Sequence, residues 1–260
     1  MTELSGYTLK VLRADGEFTL YRGHRFDGHD PILVLSSASD RQTSANLERL
    51  EHEFSLAEKL DSAWSVRPLR LMRHDGCTML VMEDLGGTPL EELIGRPLEL
   101  TCLLRIAILL TAALGEVHRH GLIHKDIKPA NILFDAAASK VRFTGFGIAS
   151  RLLRERQAPA PPEVITGTFP YMAPEQTGCM NRSIDTRSDL YSMGIVLYEL
   201  LTGTLPFAAA DPMEWIHCHI ARKPQSLGER GNDIPQAVEL ILLKLLAKNP
   251  EDRYQTAVGL

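Results

Sequence analysis

The sequence predicts an α+β fold in two parts, a small antiparallel sheet carrying one helix followed by a larger, mainly helical part. Three observations carry this expectation. From Tyr7 to about Met82, short runs of β-forming residues alternate with turn residues. One segment, Ala45 to Leu60, breaks that rhythm by placing Leu47, Leu50, Phe54, Ala57 and Leu60 at helical spacing among charged residues. Beyond the paired glycines of Glu83-Asp84-Leu85-Gly86-Gly87 the pattern turns helical almost to the end.

Taken in order, the strands are expected at Tyr7–Leu12, Phe18–Tyr21, Pro31–Leu35, Ser65–Leu71 and Thr78–Met82. Gly86 and Gly87 mark a flexible joint. Thr88–Ile94 and Leu98–Arg119 read as helices, the second ended by Gly121, a residue free to take positive φ. Leu122-Ile123, Ile132-Leu133-Phe134 and Val141-Arg142-Phe143 read as short β pieces around a loop. Ser150–Glu163 is rich in Arg, Ala and Pro, and Pro159, Pro161 and Pro162 forbid a continuous helix, so an exposed loop is expected. Asp189–Leu201, Asp211–Ala221 and Gln236–Lys248 are the remaining helices, the last stopped by Asn249-Pro250.

The 260 residues suffice to bury a large core, and 44% hydrophobic with 23% charged residues is ordinary globular composition. A net charge of -5 without any dense Lys/Arg block argues against nucleic acid or an anionic membrane as partner. Cys77, Cys102, Cys179 and Cys218 lie far apart without a Cys-x-x-Cys spacing, the pattern of reduced thiols. The N-terminus lacks the basic start and apolar run of a secretion signal. The most apolar stretch, Leu98–Val117, contains Glu99, Arg105 and Glu116 and reads as a buried helix rather than a membrane span. His217-Cys218-His219 cannot all face one ion from a helix and has no second cluster to complete a zinc site.

The chemistry concentrates in His124-Lys125-Asp126-Ile127-Lys128-Pro129-Ala130-Asn131. One short loop there offers a carboxylate that can take a hydroxyl proton, a lysine that can neutralise phosphate charge and an amide that can hold Mg²⁺. Thr144-Gly145-Phe146-Gly147 follows at the spacing phosphoryl transfer uses, with a glycine where a metal-holding aspartate belongs. Further on come Ala173-Pro174-Glu175, Ser188-Asp189-Leu190-Tyr191-Ser192-Met193-Gly194 and Asn249-Pro250-Glu251-Asp252-Arg253.

These strings, in this order, resemble the protein kinase superfamily over essentially the whole chain. The resemblance implies a bilobal kinase-like fold, with residues 1–84 as the N-lobe, 85–260 as the C-lobe, a hinge near 83–87 and an activation segment near 145–175. It makes Asp126 the catalytic base position, Lys128 the residue steadying the transferred phosphoryl group and Asn131 a Mg²⁺ ligand. Glu53, Glu83, Leu85 and Asn131 would serve the cofactor. His124, Phe146, Asp189 and the Glu175–Arg253 ion pair would hold the architecture. Lys128 with Gly167-Thr168 resembles the serine/threonine class, and Thr168 is expected to touch the catalytic loop.

Departures from that pattern fall on the phosphate and metal positions. Gly145 replaces the aspartate of Asp-Phe-Gly. Leu35 stands in Ile32-Leu33-Val34-Leu35 where strand 3 of the family carries lysine, leaving Glu53 without its expected partner. Arg13, Asp15 and Phe18 occupy the three glycine places of the phosphate loop, and Asp15 and Glu17 would repel a triphosphate. Arg22 and Arg25 are the nearest substitute cations in sequence. Losing one charge-stabilising group typically lowers a rate by about 10² to 10³.

Gly167–Asp189 and Gly145–Arg151 resemble more closely the N-terminal serine/threonine kinase-like domain of large bacterial hybrid sensor histidine kinases. That resemblance implies a cytoplasmic signalling domain at the front of a longer polypeptide that continues into a P-loop ATPase module, GAF-type sensors and a histidine kinase. Its partners are then other domains of the same polypeptide or other signalling proteins, with no nucleic acid and no membrane insertion. Three functional readings follow: a pseudokinase that signals by shape, with weakened ATP and Mg²⁺ binding; an atypical serine/threonine kinase using Asp126, Lys128 and Asn131; and a docking domain that binds no nucleotide.

Overall fold

The computed structural model describes residues 6–25, 31–37, 42–74, 76–151, 167–225, 227 and 234–260. Residues 152–163 of the expected 150–163 loop lie outside them. Contacts divide the chain into two compact units: one of residues 1–90 with 130–148, the other of residues 91–129 with 149–260. The fold is the expected mixed one, an antiparallel sheet with one helix and a second, helical part.

In the first unit, β1 (Tyr7–Ala14), β2 (Phe18–Arg25), β3 (Ile32–Ser37), β4 (Pro68–His74) and β5 (Cys77–Glu83) form a sheet of order β1-β2-β3-β5-β4. Its alternation sorts side chains onto two faces. Ile32, Val34 and Val81 form one apolar cluster with Tyr7, Leu9 and Tyr21 against it. Phe18, Leu20, Leu33, Leu35, Leu80 and Met82 form the other, joined by Leu50 of helix α1 (Ser44–Ser55). Thr43 caps α1 by accepting the Asn46 N–H at 3.1 Å. The helix stops five residues short of the expected Leu60, because the chain turns at Leu56, whose N–H reaches back to the Glu53 carbonyl.

Register in β1–β2 shifts between Val11 and Arg13, a bulge with a consequence for facing. Val11 pairs with Tyr21, and Arg13 with Leu20, although an unbroken strand would put Val11 and Arg13 on one face. The extra residue turns Arg13 onto the face that α1 covers.

Thr88–Ile94 is not the expected helix. Thr88–Pro89 form strand β6, which pairs with β7 (Ile132–Asp135) and through it with β8 (Lys140–Phe143), and only Leu90–Leu93 make a 3-10 turn. Pro89 lacks the N–H a helix interior uses and is confined to a strand edge. At the glycine pair Arg22 forms an ion pair with Asp84, and its Nη2 donates to the Gly87 carbonyl at 2.8 Å. Gly87, at φ +88°, passes so near Phe134 that a Cβ would meet its backbone at 3.1 Å. Glycine is required there.

The second unit is built on α2 (Leu100–Arg119), α3 (Thr186–Thr202), α4 (Pro212–Ala221) and α5 (Gln236–Leu245). Among the described helices α2 alone is long and apolar enough to cross a membrane by length and composition. Its stripe of Leu103, Ile106, Leu110, Ala113, Leu114 and Val117 is buried at helical spacing, as in a core helix. Helix α3 is buried almost throughout, capped by Asp185 and ended by Gly203. Helix α5 ends at Leu245 rather than Lys248. All four cysteines are free thiols, and no cluster of metal-ligating residues occurs among the described residues.

His219 on α4 is a buried anchor of this unit. Its Nε2 lies 2.7 Å from the Phe169 carbonyl, which only a protonated Nε2 can satisfy, and its Nδ1 accepts from the Tyr191 hydroxyl at 2.9 Å. Trp215 stacks on the ring. Burial pushes the imidazole down to about 4, and burial likewise pushes nearby Lys248 down to about 8. The unfolded histidine, near pH 6.5, binds a proton before the folded one does, so stability falls as pH drops from about 6.5 to about 4, by roughly 3 kcal/mol in all. Thermal melts across that range should show the decline in the unaltered chain and a shallower one in His219→Gln.

Candidate functional site

The predicted site residues fall in both units. Within the first, the positions expected to meet phosphate and metal carry hydrogen bonds to the protein's own groups. The β1–β2 turn closes with Asp15 N–H on the Phe18 carbonyl and with Asp15 Oδ1 accepting the N–H groups of Glu17 and Phe18 at 3.2 and 2.8 Å. Its backbone donors thus point at a side chain of the turn, and Phe18 is 8% exposed in the core. Asp15 Oδ2 accepts from Arg13 Nη1 at 2.8 Å, and Glu17 pairs with Arg49.

Leu35 is 4% exposed within the cluster that contains Leu50. Glu53, 1% exposed, is not left without a partner: its Oε1 accepts the Gly145 N–H at 3.1 Å. That backbone donor meets the requirement that a buried charge be hydrogen-bonded. Phe146 is buried and meets Trp64 edge to face at 6.4 Å. Gly145 has φ +80°, and the Asn131 amide fills the space a side chain would take, with Cγ and Nδ2 2.7 Å from an added Cβ. Arg13 Nη2 donates to Asn131 Oδ1 at 3.0 Å.

Glu83 accepts from Ser62 and Arg67, while Leu85 is 40% exposed with its carbonyl 3.5 Å from Arg142 Nη1. Arg22 is committed to Asp84 and offers no substitute cation; the side chain of Arg25 lies outside the described residues.

In the second unit, by contrast, the expected site residues His124 to Lys128 are held together by hydrogen bonds. Asp189 receives the N–H groups of His124 and Lys125, each at 2.9 Å, and contacts His118 Nε2 at 2.9 Å. Lys125 is held at φ 66°, a conformation a non-glycine residue keeps only when its surroundings fix it. His124 Nδ1 accepts the Asp126 N–H at 3.3 Å. Thr168 ties the reactive side chains together: its hydroxyl donates to Asp126 Oδ1 at 2.8 Å and accepts from Lys128 Nζ at 3.0 Å, with Lys128 and Asp126 3.6 Å apart. A base, a cation and a hydroxyl at these distances suit proton removal from an alcohol beside an anionic group.

Glu175 and Arg253 meet below this loop in a bidentate pair at 2.7 and 2.9 Å, both side chains fully buried. Sequence reasoning missed Gln176, whose Nε2 donates to the Lys125 carbonyl at 2.8 Å, and His118. Only position within Ala173–Gln176 and on the last turn of α2 could have signalled them.

The fold and the Asp126–Lys128 loop define a phosphotransferase framework. Residues 28–258 match the protein kinase domain model, and the chain belongs to the protein kinase family. It is similar to the serine/threonine-protein kinase PknB of Mycobacterium tuberculosis, 37% identical over 251 residues, covering 96% of this chain and 36% of that protein. The Mycobacterium leprae PknB is similar at 37% over 253 residues, with the same coverage of 96% and 36%. The serine/threonine-protein kinase pkn3 of Myxococcus xanthus is 33% identical over 243 residues, covering 88% and 44%. The chain therefore spans less than half the length of these relatives.

Members of this family work with Mg²⁺, whose usual ligands are carboxylate and amide oxygens. Position 145 supplies no carboxylate, and the Asn131 oxygen already accepts from a guanidinium.

Proposed function

We propose that this is a serine/threonine kinase-like signalling domain with strongly impaired catalysis, a pseudokinase that passes its state to attached or partner domains through shape. The observation that carries the reading is the Glu53 carboxylate on the Gly145 N–H, with Leu35 buried in apolar core. Kinase chemistry needs a lysine–glutamate pair and a metal-bound aspartate, and these positions hold neither. ATP and Mg²⁺ are then weak ligands. The Gly167–Asp189 and Gly145–Arg151 strings support a setting in a bacterial hybrid sensor histidine kinase, in the cytoplasm, with the other domains of that polypeptide as partners. Calorimetry with ATP should show no strengthening by Mg²⁺; tight Mg²⁺-dependent binding would refute the reading.

A second reading, an atypical kinase transferring the ATP γ-phosphoryl group to a protein hydroxyl, is favoured by the Asp126–Thr168–Lys128 contacts and by relatives named as kinases. Labelled ATP tested with the unaltered chain beside Asp126→Asn decides it. Transfer that disappears with Asp126 establishes the enzyme, and transfer indifferent to it rules this site out.

A further inference from the structure

Arg13 is an unusual residue for its position. It lies on β1 at 5% exposure, turned inward by the bulge, with Nη1 on Asp15 and Nη2 on Asn131 Oδ1. Its Nε is buried and has no hydrogen-bond partner among the described residues. A buried donor without a partner is destabilising, so stability alone does not account for the arrangement.

Asn131 Oδ1 is the hard oxygen donor that a divalent cation would use, and here a cation of the chain occupies it. A metal bound to that oxygen would lie against the guanidinium and be repelled. Asp15 balances the arginine, which makes the assembly a closed ion pair that calls for no further cation or anion. The plug is also coupled to Gly145. Because an added Cβ would come within 2.7 Å of the Asn131 amide, that amide holds its place over residue 145 only while 145 is glycine, and Arg13 fixes it there.

We propose that Arg13 is a built-in plug that stands in for the divalent metal at Asn131 and makes this face of the domain refractory to Mg²⁺. Absence of an aspartate at 145 and presence of the arginine are two halves of one substitution, a fixed internal charge in place of an exchangeable one. The proposal rests on the reading that the site has lost its metal and names the residue that excludes it.

The test is ATP binding by calorimetry, in Mg²⁺ and in EDTA, for the unaltered chain, Gly145→Asp, Arg13→Met and the pair together. Mg²⁺ should strengthen binding by about tenfold or more in the pair alone, the coupling expected of residues that share a partner. Gly145→Asp responding to Mg²⁺ as strongly as the pair overturns the plug. Mg²⁺-dependent binding by the unaltered chain would instead strike at the pseudokinase reading. A measurement that does not depend on how Arg13→Met folds is the melting of Asn131→Asp: a carboxylate facing the Arg13 guanidinium should raise the melting temperature, and an unchanged or lower one counts against the plug.

Discussion

Replacing Arg253 by methionine is expected to remove about 3 to 5 kcal/mol of folding stability, the typical loss when one partner of a buried ion pair is taken away. The guanidinium is fully enclosed and every donor is used: both Nη groups reach Glu175, Nη1 also reaches the Arg187 carbonyl, Nη2 the Lys248 carbonyl and Nε the Ala247 carbonyl. Its planar face lies 4.8 Å from the Tyr191 ring centre. Deleting it strands the Glu175 carboxylate with the Ser188 hydroxyl at 2.7 Å. The removal of both charges, Glu175→Leu with Arg253→Met, should cost less than either single change, because no buried charge is then left alone. Urea unfolding of the three variants checks this. A marginally stable domain holds about 5 to 15 kcal/mol in total, so the single change alone consumes a large part. An intact pair therefore speaks for architecture whether or not the domain turns over substrate.

Legibility in the sequence followed the physics of each element. Strands β2, β3 and β5 were readable from short runs of β-forming residues such as Ile32–Leu35, buried on both faces, and α2 from its apolar stripe. The Glu175–Arg253 pair and the hold of Asp189 on the loop backbone were readable because the family resemblance carries them. Thr88–Pro89 was misread, since a strand of two residues has no periodicity to detect and its identity depends on Phe134 across the ladder. Glu53 looked abandoned because a sequence shows the absence of lysine at 35 and cannot show the backbone donor at 145 that meets its carboxylate. Arg13 was the hardest. Its role depends on a one-residue bulge that reverses the face of the strand, and nothing in Leu12-Arg13-Ala14 announces a bulge.

Phosphoryl transfer is expected to rise only when Leu35→Lys, Gly145→Asp and Arg13→Met are combined. Leu35→Lys alone restores the strand-3 cation of the family, and Glu53 can accept it beside the Gly145 N–H, but position 145 still supplies no carboxylate for a metal. Gly145→Asp alone meets the Asn131 amide, which Arg13 holds in place. Aspartate tolerates the left-handed backbone at 145 better than most residues, so the obstacle there is Asn131 rather than φ. With Arg13 gone, Asn131 can move, the aspartate can enter, and both oxygen donors face a metal without a competing cation. The Leu35→Lys and Gly145→Asp pair should stay at background with labelled ATP, and the triple variant should exceed it by about 10² to 10³, the worth of one preorganised charge-stabilising group. Groups that act as a unit do not add, so the gain arrives with the last change rather than in equal steps. Asp126→Asn in the triple variant should return it to background. Equal activity in the pair and the triple would mean that Arg13 was never the obstacle.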